Sequence, residues 1–317
     1  MNKPAASQEI ARAAALIREG KLVAFPTETV YGLGANALDA AAVRRVFAVK
    51  ERPAASPLIV HADSIEMARG LAREWPPEAE LLARRYWPGP LTLVVRKSPR
   101  IPDVVTAGLD TVGLRVPAHP LALELIRAAG TPIAAPSANR FAQLSPTTAD
   151  HVRAGLGASV DLILDGGSTT VGIESTVLSL AGGTARLLRP GMVSQREIED
   201  LIGPVETRPR MLPLPGHESP GMHPRHYSPR TPLLLVSGGL LPAQGRGAYL
   251  YREAPGLCPP AVRGVAMPAE PSAYASVLYE TLHLLDLEGL DWIAVQPPPD
   301  GPEWAAVTDR LQRAAAR

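Results

Sequence analysis

Cysteine is nearly absent: the 317-residue chain has one, Cys258. A single thiol forms no internal disulfide and no thiolate zinc site, so neither can staple this fold. That scarcity fits a reducing compartment. Long apolar runs are missing too. No stretch approaches the ~18 consecutive apolar residues that read as a membrane span. Glu9, Arg12 and Arg18 interrupt the amino-terminal segment where a signal peptide would be apolar. These absences predict a cytoplasmic protein with no membrane contact. Net charge is only +1, so no global basic field draws the chain onto nucleic acid. Lysine is scarce as well, restricted to Lys3, Lys21, Lys50 and Lys97 in an arginine-rich background. Each lysine is thereby a less probable accident. There is no GxxxxGK[ST] phosphate loop and no GxSxG nucleophile elbow.

What remains is an ordinary globular composition, 46% hydrophobic, at a length that suits two domains. Ile10, Ala13, Ala14 and Ile17 recur at helical spacing before Gly20. KLVAFP, SPLIVHA, LTLVV, TVGLRV and PIAAPSAN read as strands or strands running into loops, with helices over 39–49, 64–73, 77–86 and 120–129. Thr147 is placed as the cap of a helix to about 155. VDLILDGG, ESTVLSL and ARLLRP follow as closely spaced strands, which implies a mixed sheet. Ser194 and Glu197 form a capping box. Proline, 34 residues in all, is about twice its usual ~5% share. It is densest at 205–231, which reads as an extended linker. The reading therefore places domains at 1–204 and 232–317, the second a small, open, Rossmann-like α/β sheet.

Several motifs carry chemistry, each with a plainer alternative. Lys50 and Arg52 flank Glu51; in an extended segment their side chains would converge on one anion, such as nucleotide phosphates. The alternative is a solvated helix end. Ser137 and Asn139 leave a strand end, where short polar groups suit phosphate or ribose oxygens, or a turn. Arg115 sits in an apolar strand and needs a partner: an anionic ligand, or an internal salt bridge to Glu28 or Glu174. GLGANA matches G-x-G-x-x-A, but PTETVY separates it from the preceding strand, which argues against a dinucleotide site. His223 and His226 have HxxH spacing without a carboxylate partner, which argues against a metal site.

FPTETVYGLGANA, KERP, WPGPLTLV, TAGLDTVGLRVPAHP, PIAAPSAN, DGG, ESTV and LLRPG occur in order. Together they resemble the YrdC/Sua5 family of threonylcarbamoyl-AMP synthases. HYSP, His226 to Pro229, resembles that family's linker hallmark. The resemblance implies a YrdC-like twisted mixed sheet joined to a Sua5 carboxy-terminal domain. It implies ATP contacts at Lys50, Arg52, Thr111, Ser137, Asn139, Ser145 and Arg189. Ser56 stands where relatives often carry Asn, so any ATP contact there is shorter. Threonine contacts are implied at Thr27, Tyr31, His61, Arg115 and Ser175, with the backbone near Ala135.

The implied reaction joins L-threonine, bicarbonate or CO2, and ATP into threonylcarbamoyl-AMP and pyrophosphate. The product would pass to a transferase that makes N6-threonylcarbamoyladenosine at tRNA position 37, with direct tRNA contact weak. Mg2+ is expected on the ATP phosphates, with no dedicated acidic cage. Tyr227 is expected to fold over the ATP as a lid. Two rivals differ in class: an RNA-binding module, and a carbamoyl-adenylate enzyme, whose zinc-finger region one cysteine cannot build.

Overall fold

The computed structural model describes residues 3–53, 55–207, 226–237, 240–253 and 262–316. Cys258, His223 and most of the proline-rich linker fall outside them. The amino-terminal body runs α1 (Lys3–Arg18), β1 (Val23–Phe25), β2 (Gly32–Asn36), α2 (Ala40–Lys50), β3 (Ile59–His61), α3 (Ile65–Arg69), α4 (Pro77–Tyr86), β4 (Leu91–Arg96) and α5 (Asp103–Thr106). It continues with β5 (Thr111–Arg115), α6 (Pro120–Ala129), β6 (Ile133–Ala134), α7 (Ala149–Gly155), β7 (Leu162–Ile163), β8 (Thr176–Ser179), β9 (Arg186–Arg189), α8 (Gln195–Ile202) and β10 (Glu206–Thr207). The carboxy-terminal body holds β11 (Leu233–Leu235), β12 (Gly247–Tyr251), β13 (Val262–Ala266), α9 (Pro271–Asp286), β14 (Trp292–Val295) and α10 (Ala305–Ala315). No described helix is long and apolar enough to cross a membrane.

The first body is one mixed sheet in the order β10-β9-β8-β4-β5-β3-β6-β2-β1-β7. Its faces follow from strand alternation. Leu22 and Ala24 join one apolar layer, Val23 and Phe25 the other. On the second face α1 buries Ile10, Ala13, Ala14 and Ile17, the four residues its spacing singles out, and packs on α6. The second body is a wholly parallel four-stranded sheet, β11-β14-β12-β13. The two bodies share an apolar seam. Val30, Leu144, Ile173 and Tyr227 pack with Tyr274, Leu278, Tyr279 and Leu311. At this seam Gly172, at φ +79°, approaches α9 so closely that a Cβ would lie 2.4 Å from the carbonyl oxygen of Ala275. Only glycine fits there.

Local signals held at the caps and slipped at weak strands. Asp39 caps α2, and Ser194 with Glu197 forms the full capping box of α8. The cap of α7 is Thr148, one residue beyond Thr147. The helix expected over 64–73 is the five-residue α3, closed by Gly70. GLGAN, not read as a strand from sequence, is strand β2, antiparallel to β1. Its glycines are steric: a Cβ at Gly34 would lie 2.8 Å from Ile133 and Phe25 side-chain atoms. The sheet also extends past the expected boundary at 204, because the exposed pair Glu206–Thr207 adds β10 along β9. Two exposed polar residues carry no strand signal in sequence.

Candidate active site

The strand ends converge on one cavity. In the β3–β5 register His61 lies beside Arg115, and in the β3–β6 register it lies beside Ile133, two residues before Ala135. Ser175 precedes β8, and Arg189 ends β9. Thr27, Arg52, His61, Arg115, Ala135, Ser137, Ser175, Arg189 and Tyr227 all line this cavity. Nine residues expected from the sequence are thus brought together. The cavity is narrow, about 50 Å3, and His226 and Tyr227 form part of its wall.

The remaining expected residues stand outside that lining. Lys50 is the last residue of α2, and Glu51 follows in the left-handed region at φ 53°. The segment is therefore not extended, yet Lys50 and Arg52 remain close enough to disfavour each other's charge. Lys50, 1% exposed, donates to the carbonyl oxygens of Ser137, at 2.6 Å, and of Asn139. It tethers the loop from behind. Asn139 turns its amide to the carbonyls of Arg140 and Gln143. Tyr31 donates its hydroxyl to the Gly167 carbonyl at 2.7 Å, within the DGG turn. Ser145 donates to Glu174 at 2.5 Å. Ser56 and Thr111 lie towards the other end of the β3–β5 pair, four residues along β5 from Arg115, or ~13 Å at strand rise.

The electrostatics of the lining separate into two regions. At the first, Arg115 donates to the Gly89 carbonyl and meets Glu28 at 2.8 Å as an ion pair, though not along a hydrogen-bond direction. The salt bridge foreseen for Arg115 is thus to Glu28 rather than Glu174. His61 beside it is buried with Nδ1 unpartnered, and burial together with Arg115 pushes its imidazole down to about 3. It is neutral at physiological pH and can exchange hydrogen bonds with a bound ligand.

At the second region, among the described residues, Arg52 reaches only the Pro57 carbonyl at 3.4 Å and its Nε has no partner. Burial pushes its guanidinium down to about 10. Arg189 donates to the carbonyl and hydroxyl of Ser175, at 3.0 and 3.1 Å. The His226 imidazole lies among these cations; burial, then Arg52, Lys50 and Arg189, holds it far below its ordinary value. Tyr227 sits at φ 62°, a conformation that costs a non-glycine residue ~1–2 kcal/mol and is held here by full burial.

Glu174 is the lining residue that sequence reasoning undervalued. Beyond its place in ESTV it is considered only as a partner for Arg115, whereas its carboxylate receives Ser145, Tyr279 and Arg310. The acidic first residue of ESTV is the available signal. His226, the first residue of HYSP and half of the HxxH pair, lines the cavity.

Comparison with known proteins bears on this site. The Sua5/YciO/YrdC family model, described as "Telomere recombination", matches residues 15–191. The model "Threonylcarbamoyl-AMP synthase, C-terminal domain" matches residues 193–316. The threonylcarbamoyl-AMP synthase of Bacillus subtilis is 42% identical, covering 97% of this chain and 93% of that protein. The Pyrococcus abyssi threonylcarbamoyl-AMP synthase is 53% identical over 71% of this chain and 67% of its own length. The crystal structure of P. abyssi Sua5 complexed with L-threonine superposes with a TM-score of 0.88 at 41% identity, covering 96% of this chain and 94% of that one. The chain belongs to the Sua5/YciO/YrdC family and carries the Sua5 carboxy-terminal domain.

Proposed function

We propose that this protein is a threonylcarbamoyl-AMP synthase. It would join L-threonine, bicarbonate or CO2, and ATP into threonylcarbamoyl-AMP and pyrophosphate. That makes it an adenylyltransferase acting on N-carboxy-threonine. The relatives named above carry that activity in their names. The single observation that supports the reading is the cavity's division into a paired Arg115–His61 region and an Arg52–Arg189 region holding no buried anion of its own except the engaged Glu174.

The chemistry needs no protein nucleophile. The threonine amine takes up CO2 to give an N-carboxylate. One carboxylate oxygen then attacks the α-phosphorus in line, its bond to the bridging oxygen breaks, and pyrophosphate leaves with that electron pair. Positioning and charge stabilisation are what the protein supplies. Arg115 would clamp the threonine carboxylate, with Thr27, Ser175 and neutral His61 offering hydrogen bonds to its polar edge. Arg52 and Arg189 would hold the phosphates and the charge that builds on pyrophosphate. Lys50 would hold the Ser137–Asn139 loop against the nucleotide, and would reach a phosphate only by releasing its two carbonyls. Mg2+ would enter as part of the substrate, on the triphosphate.

His226 and Tyr227 would withdraw to admit ATP and return over it, keeping water from the acyl-adenylate. In a cytoplasmic setting the product would go to a transferase that modifies tRNA at position 37. The test is pyrophosphate release with threonine and bicarbonate each omitted in turn. Release that needs both supports the reading; release indifferent to threonine contradicts it.

A further inference from the structure

The carboxy-terminal body reaches across the seam to two residues of the cavity lining, Glu174 and Tyr227. Arg310 on α10 is 0% exposed. Its Nε donates to Glu174 Oε2 at 2.8 Å, and its Nη2 to the main-chain oxygens of Pro190, at 3.1 Å, and Glu174, at 3.4 Å. Its Nη1 donates to Asp309 at 2.7 Å. The guanidinium also lies 5.1 Å from the centroid of the Tyr227 ring. Tyr279 on α9 donates to the same Glu174 oxygen at 3.1 Å. One residue of the second body thus ties together the segments before β8 and after β9, and touches the closing tyrosine.

Glu174 makes this arrangement consequential. It lines the cavity beside Ser175 and Arg189. A buried carboxylate there repels a triphosphate unless a cation cancels it. Arg310 and Arg189 both stabilise its charge, Arg310 more strongly. With Arg310 gone, a Glu174 that stays ionised either stands uncompensated in the wall or draws on Arg189. Both outcomes weaken an anion site.

We propose that Arg310 is a positioning residue that the carboxy-terminal domain supplies to the active site: it neutralises Glu174 and seats Tyr227, so that Glu174 neither repels ATP nor competes for Arg189. The proposal rests on the reading of the cavity as an ATP site, and it gives the carboxy-terminal domain a part in nucleotide binding.

The test compares full-length wild type, Arg310→Met and the double variant Glu174→Gln/Arg310→Met in steady-state pyrophosphate release, with thermal melting to verify folding. Arg310→Met is expected to raise the KM for ATP by ~10-fold or more, a loss dominated by binding rather than kcat. The double variant is expected to recover at least ~3-fold of that loss, because the stray charge is gone. A strut with no electrostatic role would show no such recovery. An unchanged KM in Arg310→Met overturns the proposal, as does a folded double variant no better than the single one. Removing both partners of a buried pair is better tolerated than removing one. If Arg310→Met alone does not fold, the double variant decides: a KM for ATP within ~3-fold of wild type supports the proposal, and one raised ~10-fold or more overturns it. A wild-type protein without threonine-dependent release would instead overturn the ATP reading itself.

Discussion

Arg52 and Arg310 are both buried guanidiniums, and their surroundings are opposite. Arg310 meets two carboxylates, two carbonyls and an aromatic ring. Burial works against its charge, but Tyr227, Glu174 and Asp309 outweigh burial and hold its pKa well above the ordinary value. Arg52 meets one distant carbonyl, and burial pushes it down to about 10. The difference separates two uses of buried charge. At the seam the countercharges are built in, so the arginine locks two bodies together. Around Arg52, among the described residues, no carboxylate pairs with it, which is tolerable where a ligand completes the site.

Four experiments break or sharpen that contrast. The largest effect is expected at the seam. Arg310→Met should cost ~3–5 kcal/mol in urea unfolding, because it strands the buried Glu174 carboxylate. Arg52→Met should match or exceed wild-type stability in the same measurement, since it removes a buried cation that lacks a carboxylate partner. Equal losses in the two variants would erase the distinction.

The second effect is catalytic. Arg52→Met should lower pyrophosphate release by ~100-fold, the scale of losing one charge-stabilising group in a transition state. Near-normal turnover would remove Arg52 from the phosphate site.

The third effect follows from the cavity's neutral histidine. His61 is depressed to about 3 in the fold, mainly by burial, and lies near 6.5 when unfolded. Between those values the unfolded chain binds the extra proton. The stability this site contributes is therefore complete above pH 6.5 and falls as pH drops towards 3, by ~1.4 kcal/mol per pH unit. Unfolding free energy should fall by about 2 kcal/mol from this site between pH 7 and pH 5, and His61→Gln should remove that part of the slope. An unchanged slope would contradict a buried, neutral His61.

The smallest effect is a control remote from both regions. Ser194→Ala removes the capping box of α8 and should cost ~1 kcal/mol while leaving pyrophosphate release intact.

Sequence and structure agree unevenly, for physical reasons. The ordered motifs named the family, and nine of the residues they supplied line one cavity where several strands end. The extended segment expected around Glu51 is absent because a left-handed Glu51 ends α2 there, a conformation that i, i+2 spacing does not reveal, although Lys50 and Arg52 both act on the His226 imidazole. β2 escaped notice because its glycines answer to Phe25, Ile133 and Ala135 across the sheet, contacts that a local reading cannot see. Arg310 carried no local signal at all. Its partner Glu174 lies 136 residues earlier in the chain, and on its own helix it reads as one more arginine.

The most direct measurement is calorimetric titration of MgATP into wild type and Arg52→Met. The expected result is a folded variant whose affinity is weaker by ~10-fold or more, the loss of one charge-assisted phosphate contact. A folded Arg52→Met that binds ATP as tightly as wild type would contradict the claim that the incompletely partnered cation marks the nucleotide site.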